Sequence, residues 1–125
     1  MKISKSQEDY LERILLLANK ESGVRVTDLA ASMNISKPSV HKATKLLKMR
    51  GLINQEKYGP ISLTEDGSSY AKALEKRHMV LKKFLCEILK VDEVRAEEEA
   101  CAIEHVISAS TIESLDMFLK NWNVP

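Results

Sequence analysis

Two short runs and one isolated residue carry side chains able to hold a transition metal. Asp9 and Glu12 stand three residues apart, and on a helix that spacing projects both carboxylates from one face. Cys101, Glu104 and His105 follow an i, i+3, i+4 pattern, again a single helical face. His78 interrupts the apolar series Ala71, Leu74, Leu81, Leu85 and is expected to point inward with it. Carboxylates, imidazoles and a thiolate make a mixed oxygen, nitrogen and sulfur set. Such a set suits Fe²⁺, Mn²⁺, Co²⁺ or Zn²⁺, and not Ca²⁺ or Mg²⁺. Each piece also has a plainer reading. An inward histidine can be a satisfied core residue, and Asp9 and Glu12 can be first-turn acids that complement a helix dipole. Cys101, like Cys86, can be a small buried hydrophobe. The run Glu97-Glu98-Glu99 reads as a solvated face near a helix start.

These side chains must be positioned by helices. Ser6 to about Asn19 carries apolar residues at Tyr10, Ile14, Leu17 and Ala18, an amphipathic stripe that Gly23 ends. Thr27 to Met33 reads as a short helix with Thr27 as its N-cap and Leu29, Ala30 and Met33 inward. Asn34-Ile35 makes a tight turn. Ser36 caps a third helix with Pro38 in its first turn, where a missing N–H costs nothing, and Arg50-Gly51 ends it. Leu52–Glu56 and Ile61–Thr64 are short β-type runs flanking the tip Lys57-Tyr58-Gly59-Pro60. A long helix then runs from Glu65 to about Leu89, and another from Asp92 to Ser108. Ser110-Thr111-Ile112-Glu113 is the capping box expected to open the last helix.

Helix, short helix, turn, helix and hairpin is the order of a winged helix-turn-helix. The third helix has the chemistry of a reading element. From Ser36 to Arg50 the basic residues Lys37, Lys42, Lys45, Lys48 and Arg50 occur without one acid. His41, Lys45 and Lys48 share a face opposite Val40, Ala43 and Leu47, so one side packs inward while the other meets phosphates and base edges. The first turns of such a helix usually meet the bases, which singles out Ser36, Lys37, Pro38, Ser39, His41 and Lys42. Lys45 is suited to phosphate, and Lys57 and Tyr58 at the hairpin tip to a flanking backbone.

Composition bounds the alternatives. The 125 residues are 44% hydrophobic and 30% charged, ordinary for a folded domain. No apolar run approaches the ~20 residues that span a bilayer, and Met1–Lys5 leads straight into Glu8-Asp9 with no signal-peptide core. Cys86 and Cys101 form no C-x-x-C pair, so a disulfide framework is not expected and a reducing cytoplasm fits. Net charge is only +1, yet residues 1–64 hold 11 Lys+Arg against 6 Asp+Glu, and residues 65–125 hold 8 against 12. A basic half joined to an acidic half suggests one end for polyanions and one for cations or partners.

The segments Ser6–Glu12 (SQEDYLE), Ser36-x-Pro-Ser-Val40, Leu63-Thr-x-x-Gly67, Arg77-His78 and Ile103-Glu-His105 resemble the diphtheria-toxin-repressor family of metalloregulators, above all its manganese-transport-regulator branch. The match is spread over nearly the whole chain. The resemblance implies a homodimeric winged-helix repressor that binds a palindromic DNA operator when loaded with Fe²⁺ or Mn²⁺ and controls metal-uptake genes. It implies Asp9, Glu12, His78, Cys101, Glu104 and His105 as the metal ligands. Asp9 matches the manganese branch, where iron-selective members carry a Met. Cys101 matches the iron branch, where manganese regulators carry a Glu; a thiolate is the softer ligand and favours Fe²⁺, Co²⁺ or Zn²⁺. It also removes an oxygen that could bridge a second metal. Lys82 and Glu97 stand where the iron branch's ancillary site would have a Glu and a His. With the sequence ending at Pro125, no SH3-like third domain is expected.

The expected fold is therefore mainly α. Residues 1–64 are read as a winged helix-turn-helix of three helices and a hairpin wing, and residues 65–125 as a helical metal-binding and dimerisation domain. The stripes Ile112/Leu115/Leu119/Trp122 and Leu74/Leu81/Leu85/Ile88 are too large to be covered by ~60 residues alone, and a palindromic operator needs a two-fold reader, so a homodimer is expected. A second reading keeps the winged helix but makes the ligand a small organic molecule, with the acids and His78 structural. An enzyme using Cys101 with His105 is the third. No nucleophile elbow, phosphate loop, H-E-x-x-H or C-x-x-C accompanies that pair.

Overall fold

The computed structural model describes residues 2–18, 23–57 and 59–122. They form two compact units, 1–72 and 73–125, the division falling within the long fourth helix. No described helix is long and apolar enough to cross a membrane.

The first unit opens with α1 (Lys5–Leu17), set by a reciprocal cap in which Ser4 Oγ accepts from the Gln7 amide and Gln7 Oε1 accepts from the Ser4 amide. Tyr10, Leu11 and Ile14 are its buried face; Ala18, expected in the stripe, is the exposed C-cap. Glu8 on the same helix is buried, and its Oε2 accepts from the Tyr70 hydroxyl at 2.5 Å. The Tyr70 oxygen in turn accepts from the Ile3 amide at 3.3 Å, so one tyrosine fastens the start of α1.

Helix α2 (Val26–Met33) begins one residue earlier than the sequence predicts. Its N-cap is Arg25, whose side chain makes no capping hydrogen bond but pairs with Asp28 at 3.1 Å, and Thr27 lies inside the first turn. The reason lies upstream. Val24 and Ile61 exchange two backbone hydrogen bonds of 2.7 Å, and that bridge holds the chain extended until Arg25. Asn34 closes α2 at φ 55°, ψ 50°, a left-handed conformation its short polar side chain tolerates. Helix α3 (Lys37–Met49) follows, with Ser36 as N-cap and Pro38 in the first turn as expected. Gly51 then takes φ +73°.

The hairpin is β1 (Ile53–Gln55) against β2 (Ile61–Leu63), antiparallel with Ile53 opposite Leu63 and Gln55 opposite Ile61. Ile53 and Ile61 enter a core built from Leu11, Ile14, Leu29, Val40 and Leu47. Thr64 joins the hairpin to α4 (Glu65–Lys83). Its hydroxyl donates to the Gly51 carbonyl at 2.7 Å and accepts from the Gly67 amide at 2.9 Å, so it caps α4 and ties it to the end of α3. Gly67 is there because the backbones touch: a Cβ would lie 1.8 Å from the Leu52 carbonyl oxygen.

In the second unit α4 runs on into a π-helical turn, α5 (Phe84–Ile88), where the Leu89 amide reaches back to the Phe84 carbonyl. Helix α6 (Glu93–Ile103) is capped by Asp92 and stops short of the Ser108 expected from sequence. After Ile103 the Val106 amide bonds back three residues instead of four, which tightens the chain into a turn. The last helix, α7 (Ala109–Lys120), is capped by Ser108 rather than Ser110: Ser108 Oγ accepts from the Thr111 amide at 3.1 Å. Val80, Leu81, Ala100, Ile112 and Leu119 form this unit's core, with Phe84, Leu85, Ile103 and Leu115 against it.

Candidate metal centre and DNA-binding face

Helix α3 sorts its residues as a reading helix must. Val40, Ala43, Thr44 and Leu47 are buried, while Lys37, Ser39, His41, Lys42, Lys45 and Lys48 are exposed. Ser36 and Ser39 are joined at the cap: Ser36 Oγ accepts from the Ser39 amide at 3.3 Å, and the two hydroxyls lie 2.9 Å apart. Between α3 and the hairpin runs a cleft of about 380 Å³ lined by His41, Thr44, Lys45, Lys48, Gln55, Glu56 and Lys57. Three ammonium groups on one shallow cleft favour a polyanion. Lys48 has a second role that sequence reasoning missed. Its ammonium donates to the Gln55 carbonyl at 2.6 Å and so braces the hairpin against α3. The expected contact Tyr58 lies outside the described residues.

In the second unit, the end of α6 and the turn after it bring Cys101, Glu104 and His105 together. One ligand atom from each lies within 4.8 Å of the others. The sequence places all three on the helix; in fact only Cys101 is within α6, Glu104 is its C-cap, and His105 sits in the turn. The convergence survives because Glu104 keeps helical backbone angles and its amide still bonds to the Ala100 carbonyl at 3.0 Å. Glu104 and His105 are buried and Cys101 is exposed, so the trio opens toward solvent on its thiol side. A fourth expected ligand is attached to this group. His78 on α4 places Nδ1 2.8 Å from Glu104 Oε1. Arg77 donates to the Glu104 carbonyl at 3.4 Å, a second tie to the same residue.

The outer side of His78 is also occupied. Its Nε2 lies 2.9 Å from Glu97 Oε2, and that same oxygen is 3.1 Å from the Lys82 ammonium. The hydrogen bond with His78, followed by that with Lys82, holds the Glu97 carboxyl below its ordinary pKa. Lys82 is correspondingly raised, chiefly by its hydrogen bond to Glu97. Reading Glu97 as part of a solvated acidic face missed this arrangement. The spacing allows the arrangement, with His78 and Lys82 i, i+4 on α4 and Glu97 seven residues before Glu104, but the pairing itself arises only where the two helices meet.

The remaining expected ligands lie in the first unit. Asp9 and Glu12 are both half-buried on α1, and Asp9 forms an ion pair with Lys5 at 3.0 Å.

The donor set fits a divalent transition ion. Metal–ligand bonds of about 2.0–2.3 Å place neighbouring donors roughly 3–4.6 Å apart, the range within which Cys101, Glu104 and His105 already converge. Sulfur, oxygen and nitrogen donors with two of three residues buried do not suit Ca²⁺ or Mg²⁺.

Comparison with known proteins agrees with both halves of this description. The iron dependent repressor N-terminal DNA binding domain matches residues 2–61, and the iron dependent repressor metal binding and dimerisation domain matches residues 64–124. An HTH-type transcriptional regulator of Methanocaldococcus jannaschii is 40% identical over 121 residues, covering 96% of this chain and 97% of the relative. The HTH-type transcriptional regulator MntR of Bacillus subtilis is 34% identical over 110 residues, covering 88% of this chain and 77% of that one. Among solved structures, the manganese regulator SloR superposes with a TM-score of 0.79 at 30% identity, over 94% of this chain and 55% of its own. ScaR with bound Zn²⁺ gives 0.78 at 28% identity, over 91% of this chain and 53% of its own. The chain thus spans about half the length of these solved regulators. It belongs to the diphtheria-toxin-repressor family of metal-dependent transcriptional regulators, DNA-binding winged-helix repressors of the iron and manganese type and not enzymes.

Proposed function

We propose that this chain represses metal-homeostasis genes in the cytoplasm, binding a palindromic operator as a homodimer when loaded with Fe²⁺ or Mn²⁺. The observation that carries the reading is the convergence of Cys101, Glu104 and His105 within 4.8 Å. It occurs in a chain whose other unit presents an acid-free basic helix. Residues 1–64 read the DNA and residues 65–125 bind metal and dimerise, with Thr64 at the junction. Ser36, Lys37, Pro38, Ser39, His41 and Lys42 meet bases or their adjoining phosphates, and Lys45, Lys57 and Tyr58 meet backbone.

Cys101, Glu104 and His105 are the metal ligands, with His78 beside them and Asp9 and Glu12 joining from α1. Asp9 and Glu12 enter on family correspondence and donor type. Hard carboxylates together with one thiolate give an intermediate site, so Co²⁺ and Zn²⁺ are accepted in vitro. Surface apolar residues of the second unit support the dimer: Met117, Phe118 and Trp122 on or after α7 are exposed, and Phe118 contacts both Phe84 and Trp122. Bound metal makes the DNA-competent arrangement of the two recognition helices, ~34 Å apart for successive major grooves, the favoured one.

The test is an anaerobic operator-binding titration against Mn²⁺, Fe²⁺, Co²⁺ and Zn²⁺. Tight binding only with metal, lost in Cys101→Ala and His105→Ala, is expected. Apo protein that binds as tightly as the loaded form overturns the proposal and favours a regulator with a non-metal ligand.

A further inference from the structure

Glu97 and Lys82 are neither ligands of the proposed metal site nor residues of the DNA-reading helix, yet they complete a continuous polar chain. From the outside inward it runs Lys82 Nζ, Glu97 Oε2, His78 Nε2, His78 Nδ1 and Glu104 Oε1, with separations of 3.1, 2.9 and 2.8 Å across its three contacts. An imidazole held at one nitrogen only can turn about its side-chain torsions, whereas contacts at both nitrogens fix the ring plane and decide which nitrogen faces inward. Here the inward nitrogen is Nδ1, and it faces the buried carboxylate that belongs to the Cys101–Glu104–His105 trio.

We propose that Glu97 is a positioning residue of the metal centre: it anchors His78 through Nε2 so that Nδ1 and Glu104 are presented to the ion, and Lys82 holds Glu97 in place. This deepens the function proposed above and rests on it. A carboxylate behind a metal-binding histidine is a recurrent outer-shell device, because it orients the ring and strengthens it as a donor. Glu97 could instead be a ligand to a second ion. The Lys82 ammonium argues against that, since this carboxylate oxygen already has a cation at 3.1 Å and Glu93 lies 3.6 Å from the same ammonium. A tethered ammonium satisfies Glu97 without a second metal at this carboxylate.

The experiment measures Co²⁺ binding to the full-length chain under anaerobic conditions, by chelator competition and by the visible spectrum of the bound ion. Glu97→Ala should weaken Co²⁺ by 10–100-fold and alter the ligand-field bands, since outer-shell partners of metal-bound histidines are worth that much. Glu97→Gln keeps an acceptor oxygen and should recover most of the loss. In a His78→Ala background, Glu97→Ala should cost nothing further, because the anchor then has nothing to hold. Half-exposed Glu97 lies outside the core, so these variants should fold, and the melting temperature of the metal-free protein checks it.

Unchanged Co²⁺ affinity and spectrum in Glu97→Ala overturns the positioning role even if the metal-free melting temperature falls, since that result marks a purely structural residue. Two Co²⁺ ions per chain, one of them lost in Glu97→Ala, also overturns it. An unaltered chain that binds no Co²⁺ removes the metal-dependent function itself, and this inference with it; the first two outcomes leave that function standing.

Discussion

Lys45 and Lys48 line the same cleft, yet the structure gives them different work, and a salt titration separates them. Lys45 is exposed on the reading helix. If its ammonium neutralises one phosphate, Lys45→Ala removes one released counterion per protomer on DNA. The slope of log K against log salt then becomes shallower by about 0.9 per protomer, about 1.8 for the homodimer. That slope fixes the size of the effect. The loss per protomer should be roughly 15-fold at 50 mM salt and shrink to roughly 4-fold at 200 mM, with the non-electrostatic part of the contact taken as zero. The loss should be the same for operator and for unrelated DNA, because a phosphate carries no sequence. Lys48 instead spends its ammonium on the Gln55 carbonyl at 2.6 Å. Lys48→Met keeps the alkyl stem and removes the brace, so affinity should fall while the slope stays close to that of the unaltered protein. The assay is fluorescence anisotropy on metal-loaded protein from 50 to 200 mM salt. An unchanged slope in Lys45→Ala, or a full unit lost in Lys48→Met, refutes the assignment of the cleft.

Three further outcomes are expected. Lys42→Ala should alter sequence preference and cost roughly 1–3 kcal/mol on the operator, read from competition between operator variants; unchanged operator binding would show that another residue reads the bases. Cys101→Glu should shift the metal response toward Mn²⁺ over Co²⁺ and Zn²⁺, measured as the ratio of metal concentrations that half-saturate operator binding, because a hard oxygen replaces a soft sulfur. Gly67→Ala should destabilise the first unit by about 3 kcal/mol or more, since its Cβ would meet the Leu52 carbonyl oxygen at 1.8 Å and neither backbone can yield. Thermal melting of that variant within a degree or two of the unaltered protein would contradict the close approach.

The parts of this molecule legible in its sequence are those set by local chemistry. Ser36, Pro38 and Gly51 mark both ends of α3 because a cap hydroxyl, a donor-free first turn and a left-handed C-terminal glycine act within a few residues. The trio at 101, 104 and 105 is legible for the same reason, since Glu104 keeps helical backbone angles past the end of α6 and preserves the spacing. Elsewhere several local answers compete. The Ser110 and Thr111 hydroxyls lie within 3.1 Å of Ser108 Oγ, and any of the three residues could cap a helix, so the choice of Ser108 depends on where the turn after Ile103 releases the chain. That turn is itself hidden, because Ile103 and Ile107 both pack on the core and continue a helical apolar period through it. Arg25 displaces Thr27 as N-cap through a bridge between Val24 and Ile61, residues far apart in sequence. Glu97 and Lys82 depend on α4 meeting α6, and no single-helix pattern contains that contact. What the sequence hides is therefore long-range pairing.

Metal dependence in such a protein follows from differential binding alone. An ion at 100-fold excess over its Kd for one arrangement, and without affinity for the other, contributes about 2.7 kcal/mol of bias, a ~100-fold change in population. The donors need not build the DNA-competent state; they have only to prefer it. Linkage makes the preference reciprocal, so operator DNA must tighten metal binding by the same factor by which metal tightens operator binding. In the proposed site, the choice between Asp9-type hardness and Cys101-type softness acts on both equilibria at once. A ligand change at residue 101 that weakens Co²⁺ ten-fold in free protein changes operator occupancy only to the extent that it changes the ratio of affinities between the two arrangements. Metal selectivity of binding and metal selectivity of repression are therefore separate quantities.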